Sequence, residues 1–167
     1  MRGEGRFGGG APEVAVENVS KAFMAGGRLI CALREVSLVA RPGEFLCVVG
    51  RSGCGKSTLL EIIAGLQPPS SGRVRVGGRS VAGPTPATGL VFQGASLFPW
   101  LTVEGNLRFA LEARGRRERA AERVAELVDL VGLAGRERSY PGQWSGGMAQ
   151  RVALARTLAA EPRVILF

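Results

Sequence analysis

The chain has 167 residues, of which 46% are hydrophobic, which excludes a largely disordered polymer and leaves room for one folded domain with a buried core. Its formal net charge is +8, but the cations are interspersed with acids except around residues 114–119, which argues against nucleic acid as a partner. No run of about 18 apolar residues occurs and the first ten residues lack the apolar centre of a secretory signal, so we expect a soluble, cytosolic chain.

The N-terminal part of the chain predicts a tail followed by two strands. Residues 1–12 contain five glycines and a proline, so we expect a flexible tail there and a folded domain over residues 13–167. Alternating apolar residues begin at Val14, and a second such stretch covers residues 29–40. This pattern predicts two antiparallel strands.

The three cysteines, Cys31, Cys47 and Cys54, do not form a recognisable site in the sequence. They are odd in number and lack the close paired spacing of a zinc or redox motif. We therefore expect small reduced side chains and assign neither a metal ion nor a disulfide to them.

A glycine-rich loop lies between a predicted strand and a predicted helix. Residues 45–49 form a continuous apolar run, which is typical of a strand buried on both faces. Residues 50–57 then match the pattern G-x-x-x-x-G-K-[ST], and apolar residues at helical spacing predict a helix over residues 56–66. Strand, loop and helix together are the context that a phosphate-binding P-loop requires, and they argue against a chance glycine-rich turn.

The chemistry of this loop predicts a bound nucleotide, ATP. Glycines let successive backbone N–H groups converge on the β-phosphate at the N-terminus of a helix. Lys56 would reach the β- and γ-phosphate oxygens, Ser57 would ligate Mg²⁺, and Thr58 would bond the α-phosphate. Only Lys21 and Lys56 among the 22 basic residues are lysine, which fits a site that needs a compact ammonium group. The predicted nucleotide-binding residues of the loop are Gly50, Arg51, Ser52, Gly53, Cys54, Gly55, Lys56, Ser57 and Thr58.

The rest of the chain predicts short strands and two further helical stretches. Strands are expected over residues 73–76 and 89–92, and a helical region over residues 103–131. Within that region the basic block 114–123 is expected to be a solvated helix face or linker. A third helix is expected to begin at Ser145, and residues 164–167 form a last apolar strand.

Residues 144–151 read Trp-Ser-Gly-Gly-Met-Ala-Gln-Arg, which resembles the signature sequence of ABC-transporter ATPases, whose usual opening is Leu-Ser-Gly-Gly. The Ser145 hydroxyl and the N–H groups of Gly146 and Gly147 would form a second anion site at a helix N-terminus. The resemblance implies that the signature of one subunit closes over the γ-phosphate held by the P-loop of another, in a head-to-tail dimer. The alternative is that Ser145 is only a helix N-cap. Trp144 departs from the usual leucine, which leaves the local packing open.

Two further residues resemble functional positions of this family. Gln93, directly after a predicted strand, resembles the glutamine of the Q-loop, whose amide oxygen approaches Mg²⁺ and the attacking water. The resemblance thus gives catalytic roles to Lys56 and Gln93 and places Ser57 and Gln93 near the metal. Phe23 aligns with the aromatic residue that stacks on adenine. The alternatives are a surface glutamine at a strand end and an aromatic core residue.

Residues 95–103 are apolar and follow the position where these ATPases receive a coupling helix from the membrane subunit. The pair Pro99-Trp100 and the later Tyr140-Pro141 resemble the branch that imports nitrate, sulfonate and taurine. An exposed aromatic anchor would suit such an interface. The alternative is that Leu97, Phe98 and Trp100 pack inside the helical subdomain.

Some catalytic features of the family have no counterpart in the chain. Hydrolysis there needs an aspartate and a glutamate after the last strand and a switch histidine, but the only aspartate is Asp129 and there is no histidine. We therefore expect a fragment of an ATPase that lacks the catalytic carboxylates and binds nucleotide at most. The sequence downstream of Phe167 would distinguish a fragment from an inert truncated product.

The resemblance implies an α/β fold, a P-loop NTPase core with an N-terminal antiparallel β subdomain and a helical subdomain inserted at about residues 100–151, incomplete at the C-terminus. The implied function is ATP-driven uptake of a small solute at the cytoplasmic face of the membrane, where the chain would be peripheral. The implied partners are an integral membrane permease, a second ATP-binding subunit and a solute-binding protein. The alternatives are a soluble ABC protein acting on nucleic acid or the ribosome, and an inert truncated product.

Overall fold

A computed structural model describes residues 13–167 of the chain except residues 95, 116 and 119. The predicted flexible tail, residues 1–12, therefore lies outside the described residues. The chain divides into two compact units, Met1–Thr85 and Pro86–Phe167. Within the described part of the chain, no helix has the length and apolar composition needed to span a membrane.

An antiparallel sheet dominates the first unit and confirms the two strands predicted near the N-terminus. Its strands lie side by side in the order β2-β1-β3-β4, and Val14 of the first strand faces both Ala40 and Val76. The predicted strand over residues 73–76 is therefore also present, starting two residues earlier. The strands are β1 (Val14–Ala25), β2 (Arg28–Ala40), β3 (Ser71–Val76) and β4 (Arg79–Ser80).

Helix α1 (Lys56–Ile63) packs against β2 and β3 and supplies the core of this unit with Leu59, Ile62 and Ile63. The predicted helix started at the same residue but was three residues longer. The helix ends early because Ala64 caps it and Gly65 adopts a left-handed backbone conformation with φ 76°.

The predicted strand at residues 45–49 is not formed. These residues have no regular secondary structure, and the side chains of Phe45 and Val49 are 89% and 87% exposed. A strand needs a neighbouring segment to pair with its backbone, and no strand pairing of the described residues involves this segment. The prediction is wrong because an apolar pattern does not show whether a neighbouring segment is available for pairing.

Three helices form the core of the second unit; two of them lie in the helical region predicted over residues 103–131, and the other is the helix predicted to begin at Ser145. They are α2 (Val103–Glu112), α3 (Ala120–Leu130) and α4 (Gly146–Ala159), and they pack against one another. A short parallel pair, β5 (Thr88–Leu90) and β6 (Val164–Leu166), confirms the last two predicted strands in shorter form. The bounds predicted for a helical subdomain remain a prediction.

Asn106 is a fully buried polar residue of α2 that holds the preceding loop. Its Nδ2 donates to the carbonyl oxygens of Phe98, Leu101 and Thr102 at 3.2, 3.1 and 3.0 Å. Its Oδ1 accepts from the N–H of Phe98 at 3.0 Å. A buried amide satisfies its hydrogen-bonding groups in this way and fixes the backbone that it contacts. The loop of residues 98–102 is thus fastened to α2 by one side chain.

Arg114, the first residue of the basic block 114–123, lies in the linker between α2 and α3 and contacts the end of α4. Its guanidinium donates to the carbonyl oxygen of Ala160 at 2.7 and 3.2 Å and to that of Pro86 at 2.9 Å. A cation at carbonyl groups that end a helix is favourable, because these carry partial negative charge. Arg116 and Arg119 of the same block lie outside the described residues.

Candidate functional site

The P-loop leads into α1 without a side-chain cap. Gly55 is the N-cap residue, with φ 92°, and no side chain bonds the first N–H groups of the helix. Free N–H groups at a helix start carry partial positive charge and bind anions. Because Ser57 is exposed and Thr58 half-buried at this same end, their hydroxyls join the donors offered to a phosphate.

Lys56 lies folded across its own loop. Its Nζ donates to the carbonyl oxygens of Gly50 and Arg51, both at 2.8 Å, and lies 3.7 Å from the Sγ of Cys54. The ammonium group is therefore held over the P-loop by the neutral carbonyl oxygens of Gly50 and Arg51. A phosphate is a stronger acceptor for a cation than a carbonyl is, so an arriving nucleotide would attract this group.

Gly55 lies close to the backbone of β2. A Cβ atom placed on it would lie 2.4 Å from the backbone oxygen of Ala32 and 2.9 Å from the Cδ2 of Leu33. Gly53 also has a positive φ, 78°, but a Cβ there would meet no atom within 4 Å. The two glycines thus share the backbone requirement, and only Gly55 is also needed for space.

These two positions form a matched pair of variants. We expect Gly53→Ala to cost about 1–2 kcal/mol of stability through the left-handed conformation alone. Gly55→Ala should lose a further 1–3 kcal/mol, roughly, because the Ala32 backbone must move away. Chemical unfolding and ATP titration of both variants test this. Equal losses for the two variants would show that the contact with Ala32 has no role.

The second predicted anion site falls at the start of α4. Ser145 is its N-cap, and the Ser145 Oγ accepts a hydrogen bond from the N–H of Met148 at 3.3 Å. The capping alternative therefore describes the geometry correctly. This cap does not prevent a second role for Ser145, because a serine hydroxyl that accepts one hydrogen bond still has a proton to donate to a phosphate oxygen. Gly146 and Gly147 are exposed beside it.

Trp144, which replaces the usual leucine, has a clear structural place. Its side chain is half-buried and packs against the apolar cluster of the three helices. Its Nε1 donates to the Oγ of Ser139 at 2.8 Å, so the polar end of the indole is also satisfied. Trp144 therefore packs the segment that leads into α4 against the helical core.

Gln93 lies in an exposed bend after β5, and its backbone is tied to α4. The Nε2 of Gln150 donates to the carbonyl oxygen of Gln93 at 2.7 Å. The structure thus brings together Gln93 and the helix that begins at Ser145, which the sequence placed in separate motifs. Gln150 was not predicted as a site residue, and its position five residues after Ser145 was the only available signal.

Phe23 lies near the end of the β1–β2 hairpin and is 39% exposed, so it is not a core residue. The Nζ of Lys21 lies 5.1 Å from the centre of its ring and donates to the carbonyl oxygen of Pro68 at 2.7 Å. A cation over an aromatic face is favourable. The ring is accessible for stacking, although one side already has this neighbour.

The predicted apolar interface at residues 95–103 divides into buried and exposed parts, and Ala95 lies outside the described residues. Leu97 packs against the helical cluster, whereas Trp100 is 69% exposed. Phe98 lies between them, with ring centres 5.4 Å from Trp100 and 4.6 Å from Phe109. The guanidinium of Arg156 lies 5.6 Å from the Phe98 ring, and burial lowers the pKa of Arg156. We call Phe98, Trp100 and Phe109 the aromatic patch.

The cysteines are free and exposed. Among the described residues, no group of three or more His, Cys, Asp or Glu side chains could hold a metal ion. For Mg²⁺, the P-loop offers the Ser57 hydroxyl as a ligand beside the nucleotide phosphates. Hydroxyl and phosphate oxygens are ligands that Mg²⁺ prefers, so the residue fits the ion.

Comparison with known proteins decides the family. The sequence family described as ABC transporter matches residues 33–167. The chain belongs to the ABC transporter family. The solved structure of the ATP-binding cassette MJ0796, a dimeric post-hydrolysis state bound to ADP and Pi, superimposes on it with a TM-score of 0.83. That match has 34% sequence identity and covers 91% of this chain and 72% of the other, which confirms the predicted fold class.

Curated relatives of this ABC transporter chain carry the names of importers. The aliphatic sulfonates import ATP-binding protein SsuB of Bacillus subtilis is 47% identical over 153 residues, which cover 92% of this chain and 59% of SsuB. The nitrate import ATP-binding protein NrtC of Synechococcus elongatus is 48% identical over 158 residues, covering 92% of this chain and 24% of NrtC. These names confirm the predicted resemblance to the nitrate and sulfonate branch. The chain spans between about a quarter and three-fifths of their lengths.

Proposed function

We propose that the chain is the ATP-binding part of an importer for a small solute of the nitrate and sulfonate type. The observation that carries this proposal is the uncapped start of α1 with the Lys56 ammonium held over the P-loop. Relatives named for sulfonate and nitrate import support the direction and the class of solute. In the whole protein, ATP binding and hydrolysis would drive uptake.

The nucleotide would lie on the P-loop with its phosphates on the N–H groups of α1. The loop residues from Gly50 to Thr58 would surround the phosphates, and Phe23 would stack on the adenine. Mg²⁺ would be held by the Ser57 hydroxyl, the phosphates and the side chain of Gln93. Lys56 and Gln93 are the groups that we propose to act on the reacting atoms.

A second ATP-binding subunit would complete the site. Ser145, Gly146 and Gly147 offer a hydroxyl and exposed N–H groups at the start of a 14-residue helix, which suits the γ-phosphate of a nucleotide held by another chain. The similar cassette MJ0796 is described as dimeric and bound to ADP and Pi, which supports this arrangement. We propose the head-to-tail dimer on these two grounds.

Turnover of ATP would belong to the whole protein rather than to these 167 residues. The only aspartate of the chain, Asp129, is an exposed residue of α3, and the chain has no histidine. A group that orients or deprotonates the attacking water is needed for efficient hydrolysis. We propose that the chain itself binds nucleotide and that its own turnover is very slow.

The aromatic patch would contact the membrane permease. Trp100 projects from the loop that Asn106 fastens, so an exposed aromatic side chain stands on a fixed backbone. Such rigid aromatic anchors dominate the energy of protein interfaces. Docking there would place the protein at the cytoplasmic face of the membrane, beside the permease and its solute-binding protein.

The import function is tested with the whole protein reconstituted with its permease in proteoliposomes. We expect ATP-dependent uptake of nitrate or a sulfonate, and Trp100→Ala should weaken the complex with the permease by about 2 kcal/mol, or roughly 30-fold. Leu130→Ala is the matched control, because Leu130 and Trp100 are both 69% exposed. Uptake and complex formation are measured for both variants.

Two results would contradict this proposal. Equal affinity for the permease and equal uptake in Trp100→Ala and Leu130→Ala would show that the aromatic patch is not part of the interface. ATP binding without permease association, but with RNA or DNA binding that weakens as salt is raised, would favour a soluble ABC protein that acts on nucleic acid.

A further inference from the structure

Gln150 holds the segment that carries Gln93. Its Nε2 donates to the Gln93 carbonyl oxygen at 2.7 Å, and its own side chain is exposed. The Gln93 bend has no regular secondary structure, and a Cβ atom at Gly94 would meet nothing within 4 Å. Ser96 has a positive φ of 45° and its Oγ donates to the Gly94 oxygen at 3.1 Å, which is a contact within the bend. Among the hydrogen bonds that the described residues of this bend make, the one from Gln150 connects it to α4.

A fixed carbonyl oxygen determines the direction of the residue that carries it. The oxygen of Gln93 defines the plane of the peptide bond to Gly94, and so limits the ψ angle of Gln93. The next residue is glycine, which restricts the backbone least of all residue types. Loss of the bond would let the peptide plane rotate. The Gln93 side chain would then adopt a wider range of orientations.

Gln150 also lies close to the start of α4. Gln150 lies four residues after Gly146, about one helical turn from the first residue of α4. An anion held by Ser145 and the following glycines would fix this end of the helix, and Gln150 with it. In the proposed dimer, the signature of a chain and its Gln93 serve different nucleotides, so this bond lies between two ATP sites.

We propose that Gln150 is a positioning residue for Gln93, which ties the glutamine to the signature helix and couples the two nucleotides of the dimer. The coupling rests on the proposed ATP-binding function, whereas the restraint on Gln93 does not. The bond requires a donor at position 150. Any side chain of similar length with an N–H group should therefore replace glutamine, and one without it should not.

The test uses Gln150→Glu, which keeps the shape and removes the donor, and Gln150→Lys, which keeps a donor of similar reach. Ala125→Glu adds the same negative charge at an exposed position of α3 and is the charge control. In the whole protein with its permease, we expect Gln150→Glu to lower kcat about tenfold with KM within about twofold. It should also lower the Hill coefficient for ATP. Gln150→Lys and Ala125→Glu should stay close to the original protein.

A second measurement is independent of ATP. Amide hydrogen exchange of the peptide covering residues 93–98 should rise about tenfold in Gln150→Glu and stay unchanged in Gln150→Lys. Unchanged hydrogen exchange in Gln150→Glu would overturn the inference. So would a Gln150→Glu enzyme whose kcat and Hill coefficient equal those of the original protein. Equal losses in the glutamate and lysine variants would also overturn it. Absence of ATPase activity in the original protein would instead contradict the proposed function and the coupling that rests on it.

Discussion

Replacing Lys56 by alanine is expected to weaken ATP binding by about 2–3 kcal/mol, or roughly 30- to 150-fold. The Nζ of Lys56 now lies 2.8 Å from two backbone oxygens of the loop, at the place where β- and γ-phosphates would arrive. Its removal would take away the charge-assisted hydrogen bonds that we propose it makes to those phosphates. Lys56→Arg should recover only part of the affinity, because a planar guanidinium does not fit where a compact ammonium did.

Isothermal titration with ATP measures the effect in the purified chain. Arg79→Ala removes an exposed cation of β4 in the same unit and should leave the affinity unchanged. A fluorescent AMP analogue, which lacks the β- and γ-phosphates, should bind Lys56→Ala as it binds the original chain. Equal loss of AMP and ATP binding would mean that the loop has collapsed, and affinity for ATP within threefold of the original would remove Lys56 from the site. Phosphate release by the original chain should not exceed that of Lys56→Ala.

Replacing Asn106 by alanine is expected to cost about 4 kcal/mol of stability. The fully buried amide makes four hydrogen bonds to the loop of residues 98–102, and alanine would leave those backbone groups without it. A small cavity would remain as well. The loop carries Trp100, so we also expect the exposed aromatic patch to lose its fixed position.

Urea unfolding followed by tryptophan fluorescence measures this loss, because both tryptophans of the chain, Trp100 and Trp144, lie in the second unit. Glu112→Ala, on the exposed side of the same helix, should change stability by less than about 0.5 kcal/mol. A loss below about 1 kcal/mol for Asn106→Ala would show that water or the loop itself replaces the amide.

Much of the fold could be predicted from the residues at which helices begin and end. The helix at Lys56 and the helix at Ser145 start where the glycine loop and the serine cap predicted them. These signals are local, since a few neighbouring residues determine whether a helix starts. The apolar periodicity of α2 and α3 is local in the same way.

Features that depend on a distant partner could not be predicted. Residues 45–49 have the pattern of a buried strand but no strand pairing among the described residues, and a pattern does not say what pairs with it. The bond between Gln150 and Gln93 joins residues 57 positions apart, and that of Arg114 to Ala160 joins residues 46 apart. Chain packing, which the sequence does not display, brings such groups together.

The hydrogen bonds from Arg114 restrain the C-terminal end of α4. The guanidinium holds the Ala160 carbonyl oxygen, while the opposite end of the helix at Gly146 is exposed. A helix of 14 residues is about 21 Å long, so a tilt of only about 5° around the restrained end would move its start by about 2 Å. Small tilts of α4 would therefore produce large displacements at Ser145 and Gly146, where we propose that a phosphate binds.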